Sequence, residues 1–163
     1  MAVRYILDGY NIIKSSAGSM FAGGTLEQQR MKFFTWLLDC HPEGSAQNSV
    51  AVVFDGKSEN PSWYGGYSEQ VYHGLVIRFS EGTSADDVIE EMVTGDPRPA
   101  EVVVVSNDKG LHRRLGGTGA RSISVESFLE KGRRHAEPGR HRGAPRQDAA
   151  DPITNEMKKR WLT

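Results

Sequence analysis

Four consecutive valines, Val102-Val103-Val104-Val105, leave this chain few folds to choose from. A β-branched run without alternation has no polar face to offer water, so it predicts a strand buried on both sides, as in a parallel sheet covered by helices. Three further runs read as strands: Val3 to Leu7, apolar or aromatic apart from Arg4, Val50 to Phe54, and Leu75 to Phe79, where Arg78 indicates a partly exposed face or an edge. Arg121 to Ser124 supplies a fifth. Helical patterns alternate with them. Thr25 and Gln28 form a capping box ahead of a stripe at Met31, Phe34, Leu37 and Leu38 that runs to about Cys40. Ser84 opens a helix from Ala85, Lys109 to Leu115 a short one, and Val125 to Lys131 the last. The pattern predicts an α/β fold with a parallel sheet of about five strands and right-handed crossovers.

In such a sheet, functional groups collect just past the carboxyl ends of the strands. Asp8-Gly9, Asp55-Gly56, Asp86 and Ser106-Asn107-Asp108 all fall on that edge. Taken alone, Asp8-Gly9 is equally well an ordinary turn that Gly9 makes easy, with Asn11 as an Asx cap. Likewise, Ser84 and Asp87 have capping-box spacing, which assigns Asp87 to the backbone and leaves Asp86 to project outward. The convergence of four carboxylates carries more weight than any one of them. They repel one another unless a cation lies between them, and an all-oxygen set suits Mg²⁺ or Mn²⁺. The chemistry that fits is metal-assisted phosphodiester hydrolysis. Gly116-Gly117-Thr118-Gly119 follows no strand and opens no helix, so it is not a dinucleotide fingerprint.

Charge is distributed unevenly. Residues 1–130 carry 11 Lys+Arg against 17 Asp+Glu, and residues 131–163 carry 9 against 4. An acidic body with a basic arm suits a metal-binding core that meets a polyanion. No apolar run is long enough for a membrane span. The start runs straight into a strand, so no signal peptide is expected. The single cysteine, Cys40, excludes an internal disulfide, suits a reducing cytoplasm and reads as a core filler. Between Lys57 and Gly74, Trp63, Tyr64, Tyr67 and Tyr72 stand in a long connection, where they either pack on the sheet or stack on bases.

The segments LDGYNIIK, VVFDG, TSADDVIEE, VVVVSNDKGL and GARSISVESFLEKG, in this order over residues 3–132, resemble the NYN branch of the PIN-like ribonucleases, and within it the YacP-like group. The resemblance implies a sheet of order 3-2-1-4-5 and Mg²⁺- or Mn²⁺-dependent cleavage of RNA. For the YacP-like group it implies action on mRNA in association with ribosomes. It makes Asp8, Asp86 and Asp108 the metal carboxylates and Asn11 the residue that supports Asp8. Related proteins often carry a further aspartate one turn after the fourth strand, where this chain has His112, and Asp87 is the neighbouring substitute. Asn11, Asp55, Ser106, Asn107 and Lys109 are assigned to the substrate, together with Arg133 and Arg134.

Two units are expected: a nuclease domain over residues 1–132, and a basic, flexible tail over residues 133–163 ending in a short amphipathic helix, Asn155 to Leu162, with Trp161. The whole is expected as a monomer or weak homodimer with single-stranded RNA or mRNA as partner. A competing reading is an RNA- or ribosome-binding adaptor that keeps the fold without cleaving. A phospho-acceptor receiver domain fits poorly, since it needs an acidic pair after the first strand and a lysine after the last, where this chain has Asp8 alone and Ser124-Val125-Glu126.

Overall fold

The valine run forms a central strand with helices on both sides. The computed structural model describes residues 2–56 and 68–136. Its sheet contains β1 (Arg4–Asp8), β2 (Ser49–Phe54), β3 (Ser68–Tyr72), β4 (Leu75–Phe79), β5 (Val102–Val105) and β6 (Arg121–Ile123), in the order β3-β4-β2-β1-β5-β6. All pairings are parallel except β3 with β4. The five expected strands keep the order 3-2-1-4-5. The sixth, β3, is an antiparallel edge strand where the sequence suggested only a connection.

β3 explains Arg78 too. β4 is not the edge, because Glu69 on β3 stands opposite Arg78 and bonds its Nε at 2.6 Å. Of the two alternatives, the partly exposed face holds and the edge does not: a cross-strand ion pair on that face accounts for the charge. Tyr72 is buried at 1% exposure, so packing is the correct reading for that aromatic. Trp63, Tyr64, Tyr67, Trp161 and the expected tail helix lie outside the described residues.

Side chains along the central strands alternate between two apolar layers. Tyr5, Leu7, Val103 and Val105 pack against α1 (Gly9–Ile13), α2 (Leu26–Cys40) and α5 (Val125–His135). Ile6, Val102 and Val104 pack against α3 (Ala85–Thr94) and α4 (Lys109–Leu115). This sandwich has buried faces on both sides, which is why the valines show no polar partner face. A short 3-10 segment, η1 (Ser16–Phe21), joins α1 to α2. The capping box of α2 is present: Gln28 N donates to Thr25 Oγ1 at 3.1 Å and Thr25 N to Gln28 Oε1 at 2.9 Å. Cys40 is buried. No helix among the described residues is long and apolar enough to cross a membrane. α5 runs past residue 132 and carries Arg133 and Arg134 in its last turn.

Candidate active site

β1 passes directly into α1 at Asp8 and Gly9, which brings Asp8 to the floor of a cleft of about 650 Å³ at the carboxyl edge of the sheet. Asp55, Asp86 and Asp108 line the same cleft, each delivered by a different strand end. The four acids thus lie together at one edge of the sheet.

Each acid is held by a distinct local device. Asp8 is 8% exposed, and Ser106 Oγ donates to its Oδ2 at 2.9 Å. The same Ser106 oxygen accepts from Asp108 N at 3.0 Å, so one buried hydroxyl couples the ends of β1 and β5. Asp108 caps α4, its Oδ1 accepting from Gly110 N at 2.8 Å and Leu111 N at 3.3 Å, which leaves the second oxygen for the cleft. Asp55 Oδ1 accepts from Ser80 Oγ at 3.2 Å and from Ala85 N at 3.3 Å, tying β2 to the start of α3. Asp86 follows in the first turn of α3.

The electrostatics confirm crowding. Burial pushes the Asp8 carboxyl up to about 6, against the pull of the Ser106 hydrogen bond and reinforced by the charges of Asp86, Asp108 and Asp55. Asp86 is raised as well, first by burial and then by the neighbouring charge of Asp108. Among the described residues, no three His, Cys, Asp or Glu side chains close around a point as an all-protein cage would. Carboxylates on one wall of an open cleft fit instead an ion that keeps several waters, the habit of Mg²⁺. The chemistry of the donor set, carboxylate oxygens lining one open cleft, is of the kind a hard, hydrated divalent cation takes.

The residues singled out in the sequence differ in where they stand relative to the cleft. Asn11 is no Asx cap: its Oδ1 accepts from Asn107 N at 2.7 Å, locking α1 to the loop after β5. Ser84 Oγ accepts from Asp87 N at 3.1 Å, but the Asp87 carboxylate is engaged away from the cleft lining, and its oxygens go to Thr83 Oγ1 and Arg114 instead of the Ser84 backbone. Arg114 holds that carboxyl low, at about 2. His112 stands where a fourth aspartate was expected, but its Nε2 bonds the Ser106 carbonyl, bracing the β5 loop. Ser106 is fully buried, and its hydroxyl bonds Asp8 and the Asp108 backbone. Lys109 is exposed and outside the cleft lining. Arg133 and Arg134 pair with Glu130 in the last turns of α5, about two helical turns beyond Glu126 and outside the cleft lining.

Of the cleft residues not assigned from the sequence, three carry a charge or an aromatic ring. Glu126, in the first turn of α5, lines the cleft and accepts from Asn107 Nδ2 at 3.1 Å, while Asn107 Oδ1 accepts from Val125 N at 2.9 Å. Glu126 follows the carboxyl end of β6, so the rule that found the other acids also points to it. Tyr10 on α1 and Lys14 just after it also line the cleft. Asn107 is correctly placed at the cleft.

Asp86→Asn should lower any metal-dependent activity of this site by about 10²-fold, because it removes a group aimed into the cleft, while Asp87→Asn should change it less than about threefold. Parallel turnover measurements on the two variants check this. Equal losses would return Asp87 to the site.

A family model described as YacP-like NYN domain matches residues 5–162, so the match extends beyond the segment over which the motifs were recognised. Among solved structures, the chain is similar to two crystal structures of Rae1 (YacP) from Bacillus subtilis. With a tryptophan-to-leucine mutant the TM-score is 0.61 at 19% identity, covering 98% of this chain and 92% of that one. With the second structure the TM-score is 0.59 at 18% identity, covering 99% and 93%. At these identities the likeness speaks for the fold. No curated protein matches the chain significantly.

Proposed function

The chain belongs to the YacP-like NYN domain family, and from that premise we propose that it is a Mg²⁺- or Mn²⁺-dependent endoribonuclease that hydrolyses RNA phosphodiester bonds. The supporting observation is a buried Asp8, pushed up to about 6 and sharing one cleft with Asp86, Asp108 and Asp55. A protein that only bound RNA would gain nothing from clustering acids where phosphates must approach. When bound, the divalent ion supplies a Lewis acid that orients an attacking water and offsets charge on the phosphate. Asp8, Asp86 and Asp108 are the residues that would hold it.

The remaining residues prepare the cleft. Ser106 fixes the Asp8 carboxylate in one orientation through its hydroxyl and fixes Asp108 through the backbone. Asn11 and Asn107 hold α1, the β5 loop and the start of α5 in one arrangement, so the acids need not reorganise when substrate arrives. Asp55 anchors the N-terminus of α3 and thereby sets where Asp86 stands. The setting implied by the family resemblance is mRNA on ribosomes in the cytoplasm. We assign residues 133–163 to a basic arm that contacts RNA away from the metal.

The test is incubation of the purified protein with labelled structured and unstructured RNAs, with EDTA, Mg²⁺ or Mn²⁺, and with or without ribosomes. Cleavage that requires the metal and is lost in Asp108→Asn supports the reading. Binding without cleavage under every condition would replace it with the adaptor. Independently, Mn²⁺ at about ten times its Kd should stabilise the fold by about 1.4 kcal/mol, roughly 3–5 °C in Tm, because the folded chain alone assembles the site. A melting curve indifferent to millimolar Mn²⁺ would count against a metal site at these acids.

A further inference from the structure

The charges lining the cleft are unequal in number. Asp8, Asp55, Asp86, Asp108 and Glu126 contribute carboxylates, whereas Lys14 is, among the described residues, the one basic side chain in the lining. A lysine beside five acids would ordinarily fold onto one of them. Here its Nζ lies over the ring of Tyr10 instead, 5.4 Å from the centroid.

That ring is a fixed platform. Its hydroxyl accepts from Arg30 Nη1 at 2.7 Å, and Arg30 is only 1% exposed. Phe54 supports the ring from within the core at a centroid distance of 4.8 Å. The backbone of Lys14 is equally constrained. Ser15 Oγ donates to Ile12 O at 2.9 Å and accepts from Gly18 N at 3.0 Å, closing a tight corner between α1 and η1. The corner is so close that a Cβ on Gly18 would meet Ile12 O at 2.1 Å. The protein therefore presents an exposed ammonium at a set place on the cleft wall, while leaving its charge unneutralised by the neighbouring acids.

A polynucleotide strand lying in this cleft brings phosphates on either side of the reacting one into a field dominated by carboxylates. A cation is needed there, and a mononucleotide would have no use for it. Resting on the endoribonuclease reading, we propose that Lys14, held over the Tyr10 ring, binds the non-scissile phosphate of the nucleotide adjoining the cleavage point. The cleft thereby selects an internal stretch of strand over a free phosphomonoester or mononucleotide.

The experiment uses the full chain as wild type, Lys14→Ala and Lys14→Arg. Short single-stranded RNAs are compared in which one phosphate at a time is replaced by a neutral methylphosphonate. Lys14→Ala should weaken RNA binding about 5- to 20-fold and flatten the log–log salt slope by about 0.7, the value for one phosphate contact on a single strand. Lys14→Arg should keep most of the affinity. At one position beside the scissile phosphate, the methylphosphonate should cost the wild type as much as Lys14→Ala does, yet cost Lys14→Ala itself no more than about twofold. A methylphosphonate cost that is equal in both proteins at every position overturns the proposal, as does a Lys14→Ala defect explained by a lowered Tm. Should the wild type cleave no RNA, the endoribonuclease reading falls. The salt slopes then still decide the contact: slopes that differ by about 0.7 keep Lys14 as a phosphate-binding residue of the cleft, and identical slopes remove it.

Discussion

Asp8→Asn should lower RNA cleavage by about 10²–10³-fold or more and, in EDTA, make the fold more stable than the wild type. The two effects have one cause. In the folded chain the Asp8 carboxyl titrates at about 6 instead of its ordinary 3.8. Its folded-state value is raised, so the folded protein holds this proton more tightly than the unfolded chain does. Asp8 therefore costs no stability while it is protonated in both states, and destabilises progressively as pH rises from about 4 through 6. At about 1.4 kcal/mol per pH unit of displacement, the full cost above that window is up to roughly 3 kcal/mol. Asparagine keeps the shape, can still pair with the Ser106 hydroxyl, and carries no charge to desolvate. Denaturant titrations in EDTA at several pH values measure the difference. The wild-type-minus-variant stability should be near zero around pH 4 and fall to its floor above pH 6. A flat difference would show that Asp8 is solvated in the metal-free protein. Mn²⁺ should reverse the ranking of the two proteins at pH 7, since only the wild type has the ligand to gain from it.

What the sequence disclosed and what it hid follow a physical division. Val102–Val105 had to be covered on both faces, and its neighbours had to be parallel strands, so the central order was legible. The same topology brought Asp8, Asp55, Asp86 and Asp108 to one edge without any contact being known. β3 was not legible, because Ser68-Glu69-Gln70-Val71-Tyr72 has only two residues of β character and sits at an edge, where Val71 remains 60% exposed. Partner choice among polar groups was hidden as well. Asp87 has the right spacing to reach its own N-cap backbone, but Arg114, 27 residues on, offers a stronger partner at 2.6 Å. Asn11 likewise spends its oxygen on an amide 96 residues away. Local spacing names what a side chain is able to reach nearby, whereas pairings closed by the sheet are visible only in three dimensions.

Gly9 is where that division has its largest consequence for stability. The sequence suggested that Gly9 serves the turn through its conformational freedom, yet it is the first residue of α1 and its φ is not positive. Alanine in such a position ordinarily stabilises a helix by about 0.5–1 kcal/mol. Here the opposite sign is expected, because a Cβ would stand 2.4 Å from Phe54 Cε1 and 2.6 Å from Cδ1. Phe54 cannot yield easily: it is fully buried, with Phe34 edge-on at 5.9 Å, Phe79 at 5.5 Å and Tyr10 at 4.8 Å. Gly9→Ala should therefore destabilise by about 1–3 kcal/mol as an overpacked core site. It should also reduce cleavage about tenfold or more, since the strain is applied one residue after Asp8 and moves the carboxylate relative to Ser106. Phe54→Leu supplies the decisive comparison. Alone it should cost about 1 kcal/mol or somewhat more, but combined with Gly9→Ala it should recover part of the loss, giving a favourable coupling of about 1 kcal/mol. Additive losses in that cycle, or a Gly9→Ala variant as stable as the wild type, would show that the chain needs glycine at this position for its backbone and that the Phe54 contact is not the reason.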